Sequence, residues 1–442
     1  MRTSEVLLFV CLIAVTAAGA VELSVEDTVD RALTVDRGYE ATRVRTQGYR
    51  DTLIAARGAF VPKLDLSASA IKNFGLANIE IPAGTFGPDS PAVEFPMGFD
   101  ESAEVGVTLT QPIYLAGYEW AGLNLAHRLI DLGVEEERGA REGVIYDTVS
   151  LYYGLLLAEE SLRVAETGLA VATSHYLSAE DRYDAGLVSE YDVLRARVEV
   201  SNLETERDRA SDGVEAARRA LRNQLQLGED EDVVLTDRME FELELFDLDQ
   251  ALVDAAERRT ELLQFDRNIE VSDAYTDIEK TGDNPTVLLM AGASLYANAL
   301  SLDKDEWSDQ YNVMLNMSWP IWDGLVTHGK VKQKESITDA LRLEREAAAD
   351  GIELEVKGIF DALLTAEKAV RTSEETVTMA ERGLEIAQAR YDYGLMSNLE
   401  VMDAQSALTQ ARLGYSAALY DYNIAKLEML RATGRIEEAY GY

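Results

Sequence analysis

The stretch Arg182-Tyr183-Asp184-Ala185-Gly186-Leu187-Val188-Ser189-Glu190-Tyr191-Asp192-Val193-Leu194-Arg195-Ala196 is met again 208 residues later. There it reads Arg390-Tyr391-Asp392-Tyr393-Gly394-Leu395-Met396-Ser397-Asn398-Leu399-Glu400-Val401-Met402-Asp403-Ala404, with 8 of 15 positions identical. Gly186 and Gly394 suit the left-handed end of a helix. Ser189 and Ser397 are placed to cap the helices that return, and Asp192 and Glu400, three residues on, complete capping boxes. Each stretch is therefore the turn of a helical hairpin, and the chain holds two of them.

The duplication extends outward from these turns. Before the first turn Val144, Thr148, Leu151, Leu155, Ala158 and Leu162 open a seam that steps by fours and threes to Tyr183; adding 208 gives Ile352, Val356, Ile359, Leu363, Ala366 and Val370, leading to Tyr391. These are heptad seams. Returning seams run Val193, Ala196, Val200, Leu203 and Val401, Ala404, Leu408, Ala411, with Arg207 the one interruption of the first. The same offset aligns Pro112-Ile113 with Pro320-Ile321. A helix starting soon after either proline has about 65 residues and spans roughly 100 Å. Further upstream the offset becomes 223, aligning Pro62 with Pro285 and Val25-Glu26 with Leu248-Asp249. The two offsets differ by 15 residues (223 against 208), which places an insertion between Pro62 and Pro112 of the first copy. Insertions collect in exposed loops, and Gly75 to Phe99, rich in Gly, Pro and Ala, reads as that loop.

Ahead of each long helix lie two short alternating segments. Leu64, Leu66, Ala68 and Ala70 alternate with Asp65, Ser67 and Ser69; Val105, Val107 and Leu109 alternate with Gly106, Thr108 and Thr110. In the second copy Val313, Leu315, Met317 and Trp319 alternate with Asn312, Asn316 and Ser318, while the partner around Val287 to Leu295 alternates less cleanly. Period two marks strands with one apolar face. Two readings stand for such a pair: strands of a membrane barrel, or a soluble hairpin buried on one side.

The bulk numbers narrow the field. The chain has 442 residues with 80 acidic and 41 basic, a formal net charge of −39. That balance argues against nucleic acid as a partner, since phosphates are met by Lys and Arg. Only 8 prolines interrupt it, which suits long helices. Arg2, the apolar run Val6 to Val15 and Ala18-Gly19-Ala20 read as a secretory signal over residues 1–20. The one cysteine, Cys11, falls inside that run as apolar filler. A chain starting at Val21 then has neither a disulfide framework nor a thiolate metal site. No later segment is apolar for long enough to cross a bilayer as a helix; membrane entry would need strands. His127, His175 and His328 lie far apart without the spacing of a metal helix. P-loop, dinucleotide and Gly-x-Ser-x-Gly patterns are absent, so the chain does not read as an enzyme, and neither cofactor nor metal is expected.

The sequence resembles the TolC-like outer-membrane efflux protein family. The likeness is carried by the opening Leu23-Ser24-Val25-Glu26-Asp27-Thr28-Val29-Asp30-Arg31-Ala32-Leu33, by the junctions Thr110-Gln111-Pro112-Ile113-Tyr114 and Ser318-Trp319-Pro320-Ile321-Trp322-Asp323-Gly324, by the paired turns, and by the duplication itself. The resemblance implies a mainly α fold with a small β part: a homotrimer giving four strands each to an outer-membrane β-barrel, continued by a long α-helical coiled-coil barrel in the periplasm. The expected layout is a signal peptide at 1–20 and repeat 1 at 21–234, with a strand hairpin about 62–112 and a helical hairpin 113–227. Repeat 2 covers 235–434, with a strand hairpin about 285–320 and a helical hairpin 321–433; a short tail, 435–442, ends the chain.

The implied function is a passive export duct, the outer-membrane component of a tripartite efflux or type I secretion system. Its partners would be outer-membrane lipid, a periplasmic adaptor, and an inner-membrane pump or ABC transporter. The resemblance places the adaptor-contacting tip at Gly186, Leu187, Val188, Ser189, Gly394, Leu395, Met396 and Ser397. It also implies a periplasmic gate, with Glu400 and Asp403 as its acidic pair, Tyr391 before the turn, and Asp192 as the residue that meets this tyrosine. Met396 stands where some members carry a basic residue, so a salt-bridged latch does not carry over. Each gate residue has a second reading: Asp192 and Glu400 as caps, Asp403 as solvated helix surface, Tyr391 and its twin Tyr183 as seam packing. The rival for the whole chain is a secreted coiled-coil adhesin or periplasmic scaffold with no channel.

Overall fold

The computed structural model describes residues 21–442 except 229, 230, 232 and 302; the expected signal segment with Cys11 lies outside the described residues. The first copy runs β1 (Val21–Leu23), α1 (Val25–Val35), α2 (Arg37–Arg57), β2 (Lys63–Lys72), β3 (Asn78–Ile81), β4 (Val93–Pro96), β5 (Glu101–Leu115), α3 (Tyr118–Asp184) and α4 (Glu190–Gln224). The second runs β6 (Val233–Leu235), α5 (Leu248–Arg258), α6 (Thr260–Glu279), β7 (Thr286–Ala297), β8 (Trp307–Ser318), α7 (Val326–Asp392), α8 (Asn398–Ala432) and α9 (Ile436–Ala439). Helices α3 and α7 have 67 residues each, α4 and α8 have 35 each, and both pairs are related by the 208-residue offset.

Three features differ from the sequence reading. The opening helix of each copy is two helices: Asp36 and Arg259 take extended backbone angles between them. Asp36 accepts from the Tyr39 N–H at 2.7 Å, so the break doubles as an N-cap. The loop after β2 contains a small antiparallel hairpin, β3 with β4. Beyond Pro112 the chain stays in β5 as far as Leu115, through an irregularity between Pro112 and Tyr114, and α3 begins only at Tyr118. Ala116 and Gly117 turn the corner at positive φ (63° and 88°).

The chain divides into two compact units. One takes in the residues up to Val44, Val134–Gln264 and Glu344–Tyr442; the other takes in Arg45–Gly133 and Phe265–Leu343.

The first unit is a packed set of helices. Val214 and Leu221 of α4 share a buried cluster with Val144 and Leu155 of α3. On α8, Tyr422, Ala425 and Met429 pack with Ile352, Val356 and Leu363 of α7. Its Leu427 and Leu430 pack with Ile145 and Val149 of α3. Helix α8 thus packs with both long helices, α3 and α7. An extended link crosses these helices and is pinned by tyrosines. The Tyr152 hydroxyl donates to Asp237 at 2.9 Å, and that carboxylate also accepts from the Val25 N–H at 2.8 Å. The Tyr422 hydroxyl donates to the Glu242 carbonyl at 2.9 Å. The short tail is folded down: Ile436 is fully buried with Val29 and Ile145, and the Arg141 guanidinium donates to Glu437 at 2.5 Å.

The second unit holds a four-stranded antiparallel sheet in the order β2-β5-β7-β8. Its register lines up the alternation of all four strands. Leu64, Leu109, Ala291 and Val313 form one row and Leu66, Val107, Ala293 and Tyr311 the next. The intervening rows hold Asp65, Thr108, Gly292 and Asn312, then Ser67, Gly106, Ser294 and Gln310. The sheet therefore has one apolar and one polar face. Strand β7 blurred its own pattern because Leu288 and Met290 stand on the side of Gly292 and Ser294. Along the edge strands β2 and β8 both faces are open, and on the apolar face Leu66 is 74% and Val313 77% exposed. Among the described residues no helix is long and apolar enough to cross a membrane.

Candidate functional site

The two helical turns are built by one local logic. At the end of α3 the Leu187 N–H donates to the Arg182 carbonyl and the Gly186 N–H to that of Tyr183, both at 2.8 Å; at the end of α7 Leu395 and Gly394 repeat this with Arg390 and Tyr391 at 2.9 Å. This pair of hydrogen bonds closes a helix C-terminus through a left-handed residue, and Gly186 and Gly394 sit at φ 72° and 68°. Both capping boxes form. Asp192 accepts from the Ser189 N–H (3.1 Å) and hydroxyl (2.7 Å); Glu400 accepts from the Ser397 N–H (2.8 Å) and hydroxyl (2.9 Å). The Ser397 N–H, with its hydroxyl second, holds the Glu400 carboxyl below the usual carboxylate range. Leu187 and Leu395 project from the turns, 74% and 78% exposed.

The residues singled out for a gate take different positions. Glu400 and Asp403 are exposed on the first turns of α8, three residues apart and so on one face of the helix. Asp192 is half-buried, with its carboxylate turned to Ser189. Tyr391 is only 7% exposed and packs with Ala387 and Val401, flanked by Leu384, Met396 and Ala404. Its twin in the first copy, Tyr183, is 42% exposed. The Tyr391 hydroxyl is buried and meets no hydrogen-bonding group among the described residues. Above the Tyr391 ring lies the Arg182 guanidinium, 4.2 Å from the ring centroid. Sequence reasoning missed Arg182, although the Arg-Tyr pair recurs at both helix ends.

Buried polar atoms continue from Tyr391 along α8. Asn398 Oδ1 and Gln405 Oε1 are buried without a hydrogen-bond partner among the described residues; the matching positions on α4 are Glu190 and Arg197, both exposed. Among the described residues no three His, Cys, Asp or Glu side chains gather as a metal site.

These turns and the amphipathic sheet have counterparts in known proteins. The sequence profile of the outer membrane efflux proteins matches residues 29–226 and 251–435. The chain belongs to the outer membrane efflux protein family. Outer membrane protein TolC of Vibrio cholerae is 22% identical over 337 residues, covering 75% of this chain and 77% of that protein. Cobalt-zinc-cadmium resistance protein CzcC of Cupriavidus metallidurans is 24% identical over 334 residues, 73% of this chain and 75% of the relative. In fold, the Campylobacter jejuni CmeC outer membrane channel superposes with a TM-score of 0.74 at 19% identity, covering 93% of this chain and 86% of that one. The two stretches matched by the family profile each contain one helical hairpin, so both copies fit the family pattern.

Proposed function

We propose that the protein is the outer-membrane channel of a tripartite efflux or type I secretion system, a passive duct whose helical part lies in the periplasm. The observation that carries this reading is the sheet. β2 and β8 each have a strand on one side only, and an apolar face runs across all four strands. An open edge is not tolerated in hydrocarbon, and a barrel must close. Four strands are too few to do so, since the smallest membrane barrels use about eight. Three copies would supply twelve, β8 of one meeting β2 of the next in the antiparallel sense already present. The apolar face would then meet lipid and the Ser, Thr, Asn and Gln face the lumen. Each large apolar side chain moved out of water this way contributes about 1.5–3 kcal/mol.

The helical turns, far along the chain from the strands and carrying exposed leucines, fit the role of adaptor-contacting tip. The acidic residues after the second turn fit a constriction that disfavours anions, with Tyr391 and Asp192 near it. An adaptor and an inner-membrane pump or ABC transporter complete the pathway. The pump selects the cargo, and catalysis is not assigned to this chain.

The purified chain is expected to run as a trimer, to fractionate with the outer membrane and to pass current in planar bilayers. Replacing both Glu400 and Asp403 by Ala should raise conductance or weaken block by multivalent cations. A soluble periplasmic monomer without current would sink the duct; unchanged conductance and block would remove the two acids from the gate.

A further inference from the structure

We propose that Arg182 positions Tyr391 and that this cation–π contact clasps the two helical turns of one chain in the resting state. The proposal rests on reading the turns as a gate, and it assigns the holding interaction to a different pair from the one the family resemblance suggests. A guanidinium over an aromatic face is attracted by the ring quadrupole, and more strongly where water is excluded. Tyr391 is in such a place: its ring lies between α7 and the start of α8, and Arg182 reaches it from the last turn of α3 at 4.2 Å. The contact joins the first-copy hairpin to the second.

Two further observations support the ring face, not the hydroxyl, as the point of attachment. The hydroxyl makes no hydrogen bond among the described residues. Asp192, the acceptor that a hydrogen-bonded latch would use, already accepts two bonds from Ser189. The repeat supplies an internal control. Arg390 is the twin of Arg182, but it lies near Glu400, whose carboxylate it helps to stabilise. Tyr183, the twin of Tyr391, is 42% exposed. A basic residue in the last turn of a helix also complements the helix dipole, and that purpose serves both arginines equally. It does not account for one tyrosine being buried beneath a guanidinium while the other is partly exposed.

The test uses the full chain in planar bilayers. Arg182→Gln and Tyr391→Leu should each raise the open probability about thirtyfold, the effect expected of a desolvated cation–π pair. Arg182→Lys should fall between, and Tyr391→Phe should match the parent. The proposal is overturned if Arg182→Gln leaves gating unchanged, or if Tyr391→Phe opens the channel as far as Tyr391→Leu. A second measurement is independent of current: spin labels on Leu187→Cys and Leu395→Cys, with Cys11→Ala, report the distance between turns. The shortest distance should lengthen and broaden with Arg182→Gln, and an unchanged distribution overturns the clasp. A distance that responds in a protein that never conducts supports the clasp and overturns the duct.

Discussion

Helices α4 and α8 have the same length, the same start relative to their turns and the same capping motif, yet they bury their surfaces very differently. α4 has three buried residues, Ala196, Val214 and Leu221, and α8 has fourteen. Since α8 packs on both α3 and α7, two stripes of it are covered, and its returning face is built from Leu408, Ala411, Ala418 and Tyr422. α4 packs on α3, and its remaining surface carries Arg197, Glu204, Glu206, Asp208 and Arg209, all exposed. Length and caps follow from the turn that both helices share. Composition follows from what each helix packs on, which the repeat does not duplicate.

The comparison breaks most sharply at one repeat position. Tyr422 on α8 corresponds to Val214 on α4. Tyr422 is 1% exposed, meets the Phe241 ring edge-on at 4.9 Å, and also accepts from the Glu244 N–H. Tyr422→Ala should cost about 3–5 kcal/mol, in the range of large aromatic truncations. Val214→Ala should cost about 2 kcal/mol, the transfer term of a smaller side chain. Chemical denaturation of the solubilised protein measures both, and equal costs would mean that the Phe241 contact and the hydroxyl bonds of Tyr422 add nothing.

A substitution of opposite sign sharpens the contrast. Gln405 is buried with an acceptor oxygen unpaired among the described residues, whereas Arg197 at the matching position is exposed. Gln405→Leu should stabilise by about 1–2 kcal/mol, because a buried unsatisfied group is removed. Arg197→Leu should stay within about 0.5 kcal/mol, as surface changes do. The melting temperatures of the two variants decide it; a destabilised Gln405→Leu would show that the oxygen has a partner in the assembled protein.

The smallest effect should be the same in both helices. Ser189→Ala and Ser397→Ala each remove an N-cap and should cost about 1 kcal/mol. The second cap carries a pH signature. Because the folded state depresses the Glu400 carboxyl, its contribution is present above the usual value of 4.5 and is lost as pH falls through the lower folded value. Hydrogen exchange at Asn398–Val401, corrected for intrinsic rate, should quicken over that acid range, and Glu400→Gln should flatten the dependence.

The turns, the strands and the equality of the helices were legible because each is written in local pattern: left-handed glycines, capping serines, period two, and heptads held at one offset. The breaks at Asp36 and Arg259 were not, because helical periodicity continues across them and a single extended residue leaves little trace. The β3–β4 pair was hidden in a segment whose Gly and Pro content signals turns and gives no pairing. At the turns, sequence placed Tyr183 and Tyr391 as equivalents and could not say that one would be covered. That outcome depends on Arg182 and α8, which are distant in sequence. The capping reading of Asp192 and Glu400 came from spacing alone, and the side chains form those bonds.

The matched helices limit where the chain can change length. Removing one residue from α3, at Ala165 for example, would turn everything beyond it by about 100°. The seam leading to Tyr183 would then swing into solvent. Removing seven would restore the face but leave α3 a full heptad shorter than α7, so the two turns would no longer stand level. Length changes in the helices are tolerable only in heptads and only when all four helices change together. The strand hairpin between Pro62 and Pro112 is free of that rule, and there the two copies already differ by 15 residues.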